Sequence, residues 1–248
     1  MITSPDNPKL KTVRKLMENS RFRRETGAFV AEGARLFREI PGELLMETYV
    51  SESFKEKHPE TEGEIVSDRC FAKLSDTGTP QGILAVVRRK EYSLPELIKG
   101  EEGLFIITEG LQDPGNLGTI LRTGEAAGIT GLIADRRTVD IYSPKAVRST
   151  MGSVFRVSVI YSENLPLTIE EMKAEGVTVY AADLRGEADF LNVEYKRKCA
   201  FLIGNEGRGL SPEISGLADM GIRIPMKGRV ESLNAAVSAA LLMYRYNM

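Results

Sequence analysis

Residues 221–247 read GIRIPMKGRVESLNAAVSAALLMYRYN, and their pattern changes twice. Ile222 and Ile224 alternate with polar positions and stop at Pro225, which predicts a strand over 222–224. Lys227, Gly228 and Arg229 make a tight loop, and Ser232 or Asn234 is placed to cap a helix. Residues 235–244 are apolar on nearly every face, so that helix is expected to be buried. A polar cluster between a strand's end and a buried helix is either an ordinary joint or a ligand site. In an open α/β sheet, free backbone N–H groups at such a joint point into the crevice where ligands bind. Two earlier segments of the same character favour the second reading.

Upstream, 104–107 is a near-continuous apolar strand, and 131–134, 154–160, 177–182 and 200–203 are its candidate neighbours. Helices are predicted between them over 117–127, 144–149, 169–175 and 212–217. Such alternation implies a mainly parallel sheet covered on both faces. The charged stretch 88–102 precedes it and marks a boundary between a small α/β domain, 1–92, and a larger one, 101–248. In the small domain, Ser4-Pro5-Asp6-Asn7-Pro8 starts a helix on which Leu10, Val13, Leu16 and Met17 keep helical spacing. Lys9, Lys11, Arg14 and Lys15 lie off that face, and Arg21, Arg23 and Arg24 extend the positive run, a solvated basic face or a contact for RNA phosphates. A strand at 28–31, a short helix at 33–40 and an apolar strand at 83–87 complete it, while 43–64 turns acidic and is expected to avoid phosphate.

Two loops follow apolar strands in the larger domain. The first, 108–122, holds Asn116, a natural N-cap, and Arg122, whose surface partner would be Glu125. The second, Gly204-Asn205-Glu206-Gly207-Arg208-Gly209-Leu210, packs three glycines into a short span, which points to unusual backbone angles or a close ligand. Neither has the G-x-G-x-x-G order of a dinucleotide fold or the lysine of a P-loop.

Composition narrows the classes further. With 248 residues, 42% of them hydrophobic, and a formal net charge of -2, the chain is a folded protein whose nucleic-acid contacts must come from a local patch. Cys70 and Cys199 are far apart and read as reduced buried thiols, which suits a cytoplasmic protein. The N-terminus has no apolar signal core, and no run approaches the ~18 apolar residues a membrane span needs. The one histidine, His58, sits in a charged loop, so metal sites and histidine-based triads lose most of their support.

Together these segments resemble the SpoU, or TrmH-like, family of RNA ribose methyltransferases within the knotted SPOUT class. Asn116-Leu117-Gly118 with 119–125 is similar to its first motif, Ile203-Gly204-Asn205-Glu206-Gly207 with Gly209-Leu210 to its second, and Ile224-Pro225-Met226 through Glu231-Ser232-Leu233-Asn234 to its third. Ala146-Val147-Arg148 with Met151-Gly152-Ser153-Val154-Phe155 resembles the segment between the first two. Phe29-Val30-Ala31-Glu32-Gly33 and 80–86 resemble the substrate-binding domain of the family's rRNA branch. The resemblance implies a C-terminal trefoil knot, a homodimer, and S-adenosylmethionine held around Gly204, Ile224, Met226 and Leu233 with no metal. It implies RNA as substrate, rRNA favoured over tRNA, and Asn116, Arg122, Glu206, Ser232 and Asn234 as the catalytic set. By the resemblance the Arg122 equivalent activates the 2′-hydroxyl. Because a free guanidinium scarcely deprotonates, Arg122 is read as a cation that binds the adjacent phosphate and lowers the hydroxyl's pKa, with Glu206 instead taking the proton or holding Arg122. Asn116 and Asn234 orient the nucleotide, and Ser232 braces its loop. The alternatives are a related enzyme methylating a base nitrogen, an enzyme acting on tRNA, and a non-catalytic RNA-binding protein.

Overall fold

Asn7 and Pro8 start the first helix as their residue types dictate. In the computed structural model, which describes residues 1–248, the Asn7 side chain accepts from the Lys9 N–H and Pro8 opens α1 (Pro8–Glu18). Leu10, Val13, Leu16 and Met17 are buried on its inner face, as their spacing predicts. The basic run beyond them divides, because Asn19 ends α1 and caps α2 (Ser20–Thr26), which turns Arg23 inward. The Arg23 side chain is 4% exposed, donates to the Leu16 and Met17 carbonyls at 2.6 and 2.9 Å, and pairs with Asp140 at 2.8 Å. Arg23 is therefore a structural group rather than part of a positive surface, since a buried guanidinium persists only where its charge and donors are met.

The chain continues through β1 (Ala28–Glu32), α3 (Ala34–Arg38), β2 (Leu45–Ser51), α4 (Glu52–Lys57), β3 (Glu64–Val66), α5 (Asp68–Leu74) and β4 (Ile83–Arg88). These strands form a sheet in the order β1-β4-β2-β3, with β4 antiparallel to both neighbours. The acidic stretch 43–64 thus also supplies a strand, β2, whose Tyr49 and Val50 are buried.

From residue 91 the alternation runs α6 (Leu94–Leu97), β5 (Gly103–Thr108), α7 (Pro114–Ala127), β6 (Gly131–Asp135), α8 (Pro144–Thr150), β7 (Ser158–Ser162), α9 (Leu165–Ala174), β8 (Thr178–Ala182), β9 (Ala188–Asp189), β10 (Lys198–Ile203), α10 (Pro212–Ser215), β11 (Met220–Arg223) and α11 (Ala235–Tyr246). The expected parallel sheet is present: seven strands in the order β7-β6-β5-β10-β8-β11-β9, every pairing parallel. One face buries Ile107, Ile133, Val179 and Leu202 against Ile169 and Met172 of α9 and Ile214 of α10, each aliphatic side chain contributing about 1.5–3 kcal/mol. Because β5 and β10 are neighbours, the two glycine-containing loops leave adjacent strands at the same end of the sheet.

Two compact units result, Met1–Lys90 with Asp140–Phe155, and Glu91–Val139 with Arg156–Met248. The segment Asp140–Phe155 lies inside the sequence span expected for the second domain but packs with the first unit. There α8 lies on β1, Tyr142 stands 4.9 Å from Phe29 between ring centroids, and Arg148 pairs with Asp76 at 2.8 Å. The same packing corrects the strand expected at 154–160. Met151 and Gly152 take positive φ angles of 51° and 99°, Val154 and Phe155 enter a short 3-10 turn facing Phe29, and the strand begins only at Ser158.

A second correction concerns α11, which is buried on one face and not on nearly all. Ala235, Ala236, Ala239, Leu242 and Met243 are buried, while Val237, Leu241 and Tyr244 remain exposed because α7 and β10 cover only one side. Cys70 and Cys199 are free and buried, and burial pushes the Cys199 thiol up to about 12. No helix is long and apolar enough to cross a membrane.

Candidate active site

The loop after β5 is ordered by Asp113, whose side chain accepts from the Asn116 N–H at 2.9 Å and caps α7. Pro114 takes the first helical position, so the helix begins earlier than 117 and Asn116 is not the cap. This correction has a chemical consequence. Released from capping, the Asn116 carboxamide is available to two partners distant in sequence.

Glu206 is the first of them. Asn116 Nδ2 donates to Glu206 Oε1 at 3.0 Å, and the backbone N–H groups of Gln112 and Asp113 donate to Oε2 and Oε1 at 3.1 Å each. Burial pushes the Glu206 carboxyl up, but the hydrogen bonds from the Asn116 side chain and from the two backbone amides outweigh it and hold the carboxyl below its ordinary value. Glu206 is thus ionised at neutral pH and already occupied by four donors, Asn205 Nδ2 at 3.5 Å being the fourth, which makes it a poor proton acceptor and a good anchor. It holds Asn116, not Arg122.

Asn234 is the second. Its Oδ1 caps α11, accepting from Ala236 and Val237 N–H at 2.9 and 3.3 Å, which leaves its Nδ2 to donate to Asn116 Oδ1 at 2.9 Å. Since Asn116 accepts there, its own Nδ2 must face the Glu206 carboxylate, so the network itself sets both amide orientations. The chain Asn234 to Asn116 to Glu206 joins the cap of α11, the first turn of α7 and the glycine loop, whose residues lie 118 and 90 positions apart.

Beside it opens a cavity of about 350 Å³ in the second unit, within the size range of small-molecule sites. Gly204, Ile224, Met226 and Leu233, the expected cofactor contacts, all line it, and Glu206 and Ser232 stand on its wall. Its boundary is tight at Gly204. A Cβ there would lie 2.2 Å from Gly209 C and 2.3 Å from Leu210 N, because the loop folds back on itself through paired Asn205 and Gly209 hydrogen bonds of 3.0 and 2.9 Å. Apolar walls with a backbone cradle suit an adenine and a thioether chain, so these residues fit S-adenosylmethionine. No three His, Cys, Asp or Glu side chains are grouped as metal ligands would be.

Arg122 is the residue the fold does not bring to this cluster. It projects from α7 into solvent, makes no hydrogen bond or ion pair within the chain, and does not line the cavity. Its expected surface partner is taken, since Glu125 pairs with Arg156, whose Nη2 donates at 3.1 Å. Ser232 is likewise exposed and makes no hydrogen bond. Sequence reading missed Glu109, buried where the strand β5 runs into its loop and bonded to Arg137 and Ser211, whose only signal is a lone charge at the end of an apolar strand.

A family model described as the SpoU rRNA Methylase family matches residues 103–244, and one described as an MRM3-like substrate binding domain matches 7–85. A curated relative, the 23S rRNA (guanosine(2553)-2'-O)-methyltransferase RlmP of Bacillus subtilis (strain 168), is 34% identical over 98% of this chain and 97% of its own. The crystal structure of an AdoMet-bound rRNA methyltransferase from Sinorhizobium meliloti superposes with a TM-score of 0.86 at 30% identity, covering 99% of this chain and 96% of that one. The A. aeolicus TrmH/SpoU tRNA modifying enzyme matches less of it: 62% of this chain and 78% of that one, at 28% identity and a TM-score of 0.52.

Proposed function

Because the chain belongs to the SpoU rRNA methylase family and is an S-adenosylmethionine-dependent RNA 2′-O-methyltransferase, we propose that its substrate is a single ribose in 23S rRNA, bound with help from the N-terminal unit, in the cytoplasm. The observation that carries the site assignment is the Asn234, Asn116, Glu206 chain at the cavity of about 350 Å³. Ribosomal RNA is favoured over tRNA because the rRNA-directed likenesses run the whole length, residues 7–85 included, while the tRNA-modifying likeness covers 62% of the chain.

S-adenosylmethionine supplies a methyl group activated by its sulfonium. The chain's own residues must align a ribose 2′-hydroxyl with it, keep water out, and ease removal of the hydroxyl proton. Ile224, Met226 and Leu233 wall the donor, and Gly204 lets the backbone approach. Asn116, held rigid from both sides, presents a fixed carboxamide to the nucleotide, and Glu206 serves it as an anchor. Arg122, with its donors free, takes the phosphate beside the target ribose and lowers the pKa of the 2′-hydroxyl. Within the basic run, Lys9, Lys11 and Arg21 pair with Glu64, Asp6 and Glu25, and Lys15 lies over the Phe22 ring, which leaves Arg14 and Arg24 for RNA phosphates.

The product tests this directly. Alkali cleaves RNA through a free 2′-hydroxyl, so a 2′-O-methylated position resists. Total RNA from cells lacking this protein, methylated in vitro and treated with mild alkali, is expected to show one new protected bond in a 23S rRNA loop, where an unstacked nucleotide can enter a pocket. Labelled nucleotides released only as monomers would instead establish base methylation, and protection in tRNA alone would reassign the substrate. Absence of both label transfer and donor binding would favour the non-catalytic reading.

The assembly is read as a homodimer with a threaded C-terminus. Val237, Leu241 and Tyr244 form an exposed apolar stripe on α11 at helical spacing. For the thread, β9, in the connection from β8 to β10, pairs on the far side of β11, so that connection passes around the strand from which the C-terminal segment departs. A crystal structure of the assembled protein tests both. A monomer with α11 in solvent, or a trace that pulls straight from its ends, would refute the corresponding part.

A further inference from the structure

Both ends of the glycine loop hang on two consecutive residues, Glu109 and Gly110. At its entry Asn205 Nδ2 donates to the Gly110 carbonyl at 2.8 Å, and at its exit the Ser211 N–H donates to Glu109 Oε2 at 2.8 Å. The Glu109 side chain is 5% exposed, and its other oxygen accepts from Arg137 Nη2 at 2.6 Å. Arg137 Nε in turn holds Asp135 at 2.9 Å, and Asp135 accepts from the Gly110 N–H at 2.8 Å. A carboxylate this buried is costly unless its charge is paired and its lone pairs are filled. Glu109 meets both conditions, yet it neither lines the cavity nor bonds to Asn116, Glu206 or Asn234. What it grips is the point where the loop leaves the cavity wall.

We propose that Glu109 is a positioning residue for the methyl donor: by pinning the Ser211 N–H it holds the Gly209-Leu210 backbone against Gly204 and so sets the shape of the cavity. The proposal rests on the methyltransferase reading of that cavity. Leu210 and Gly209 belong to its wall, and the 2.2 Å that a Gly204 Cβ would leave to Gly209 C shows how closely the two backbone strands meet there. A shift of the exit therefore changes the donor's cradle before it changes the RNA surface.

The test is calorimetric titration with S-adenosylhomocysteine, well below each variant's melting temperature. Glu109→Ala is expected to weaken binding about tenfold or more, the scale of a hydrogen bond to a charged group. Glu109→Gln keeps an acceptor oxygen for Ser211 and is expected to stay within about threefold of the wild type. Arg137→Ala leaves the Glu109 to Ser211 bond in place, so it should lower the melting temperature while keeping affinity within about the same threefold. If Glu109→Ala does not fold, Glu109→Asp draws the carboxylate one methylene back from the Ser211 N–H while keeping a negative charge for Arg137, and should show a loss in the same direction. Unchanged affinity in Glu109→Ala, or in Glu109→Asp where that variant replaces it, overturns the proposal. An Arg137→Ala loss equal to that of Glu109→Ala also overturns it, because the network would then be merely structural. A wild-type chain without affinity removes the methyltransferase reading, and the proposal with it.

Discussion

Arg122→Ala is expected to lower the rate of methyl transfer by about 100-fold or more, the scale of a group that assists proton removal, while leaving the fold and donor binding as they are. The structure separates these effects. Arg122 is exposed and bonded to nothing in the chain, so its loss should change stability by no more than about 0.5 kcal/mol. It does not line the cavity, so affinity for S-adenosylhomocysteine should be unchanged. Single-turnover kinetics with saturating RNA read the chemical step. A fall confined to KM for RNA would make Arg122 a binding residue only, and an unchanged rate would remove it from the mechanism.

Gly204→Ala is expected to do the reverse, weakening donor binding through the backbone. The added methyl would meet Gly209 C at 2.2 Å and Leu210 N at 2.3 Å, distances that force the loop to move, and overpacking of this kind costs about 1–3 kcal/mol of stability. Because Gly209 and Leu210 are themselves cavity wall, the displacement should weaken S-adenosylhomocysteine binding about 100-fold, equivalent to roughly 2.8 kcal/mol. Gly207→Ala is the control in the same loop. Its Cβ would meet only Asn205 Oδ1 at 3.7 Å, an ordinary contact, and binding should be near normal. Equal losses in the two variants would mean that the loop tolerates no side chain for reasons other than this close approach.

Arg122 and Gly204 also show where sequence reading stops. That the backbone around Gly204 is unusual is legible, because three glycines after an apolar strand have few local explanations, and the resemblance places them in one motif. That the neighbour it must admit is its own loop's return was not, since backbone approach depends on how 204–210 closes. Asn116 looked like a helix cap because asparagine commonly is one. The structure instead gives the cap to Asp113, three residues earlier, and only that exchange frees the carboxamide for Glu206 and Asn234. Charge alone places Arg23 in the basic run, whereas its burial depends on Asp140, 117 positions away.

The sequence by itself determined the strand and helix alternation, the parallel sheet, the three polar loops and the family they belong to. These follow from side-chain periodicity, turn residues and short motifs, all of which act over a few neighbouring residues. The tertiary structure alone decided that Asn234, Asn116 and Glu206 form one chain, that Glu109 grips the exit of the glycine loop, that Asp140–Phe155 packs with the N-terminal unit, and that α11 keeps one apolar face in solvent. Each of these depends on which loop ends a folded sheet brings together, or on which faces it leaves uncovered. A hydrogen bond between residues 90 or 118 positions apart leaves no trace in the spacing of either residue's neighbours.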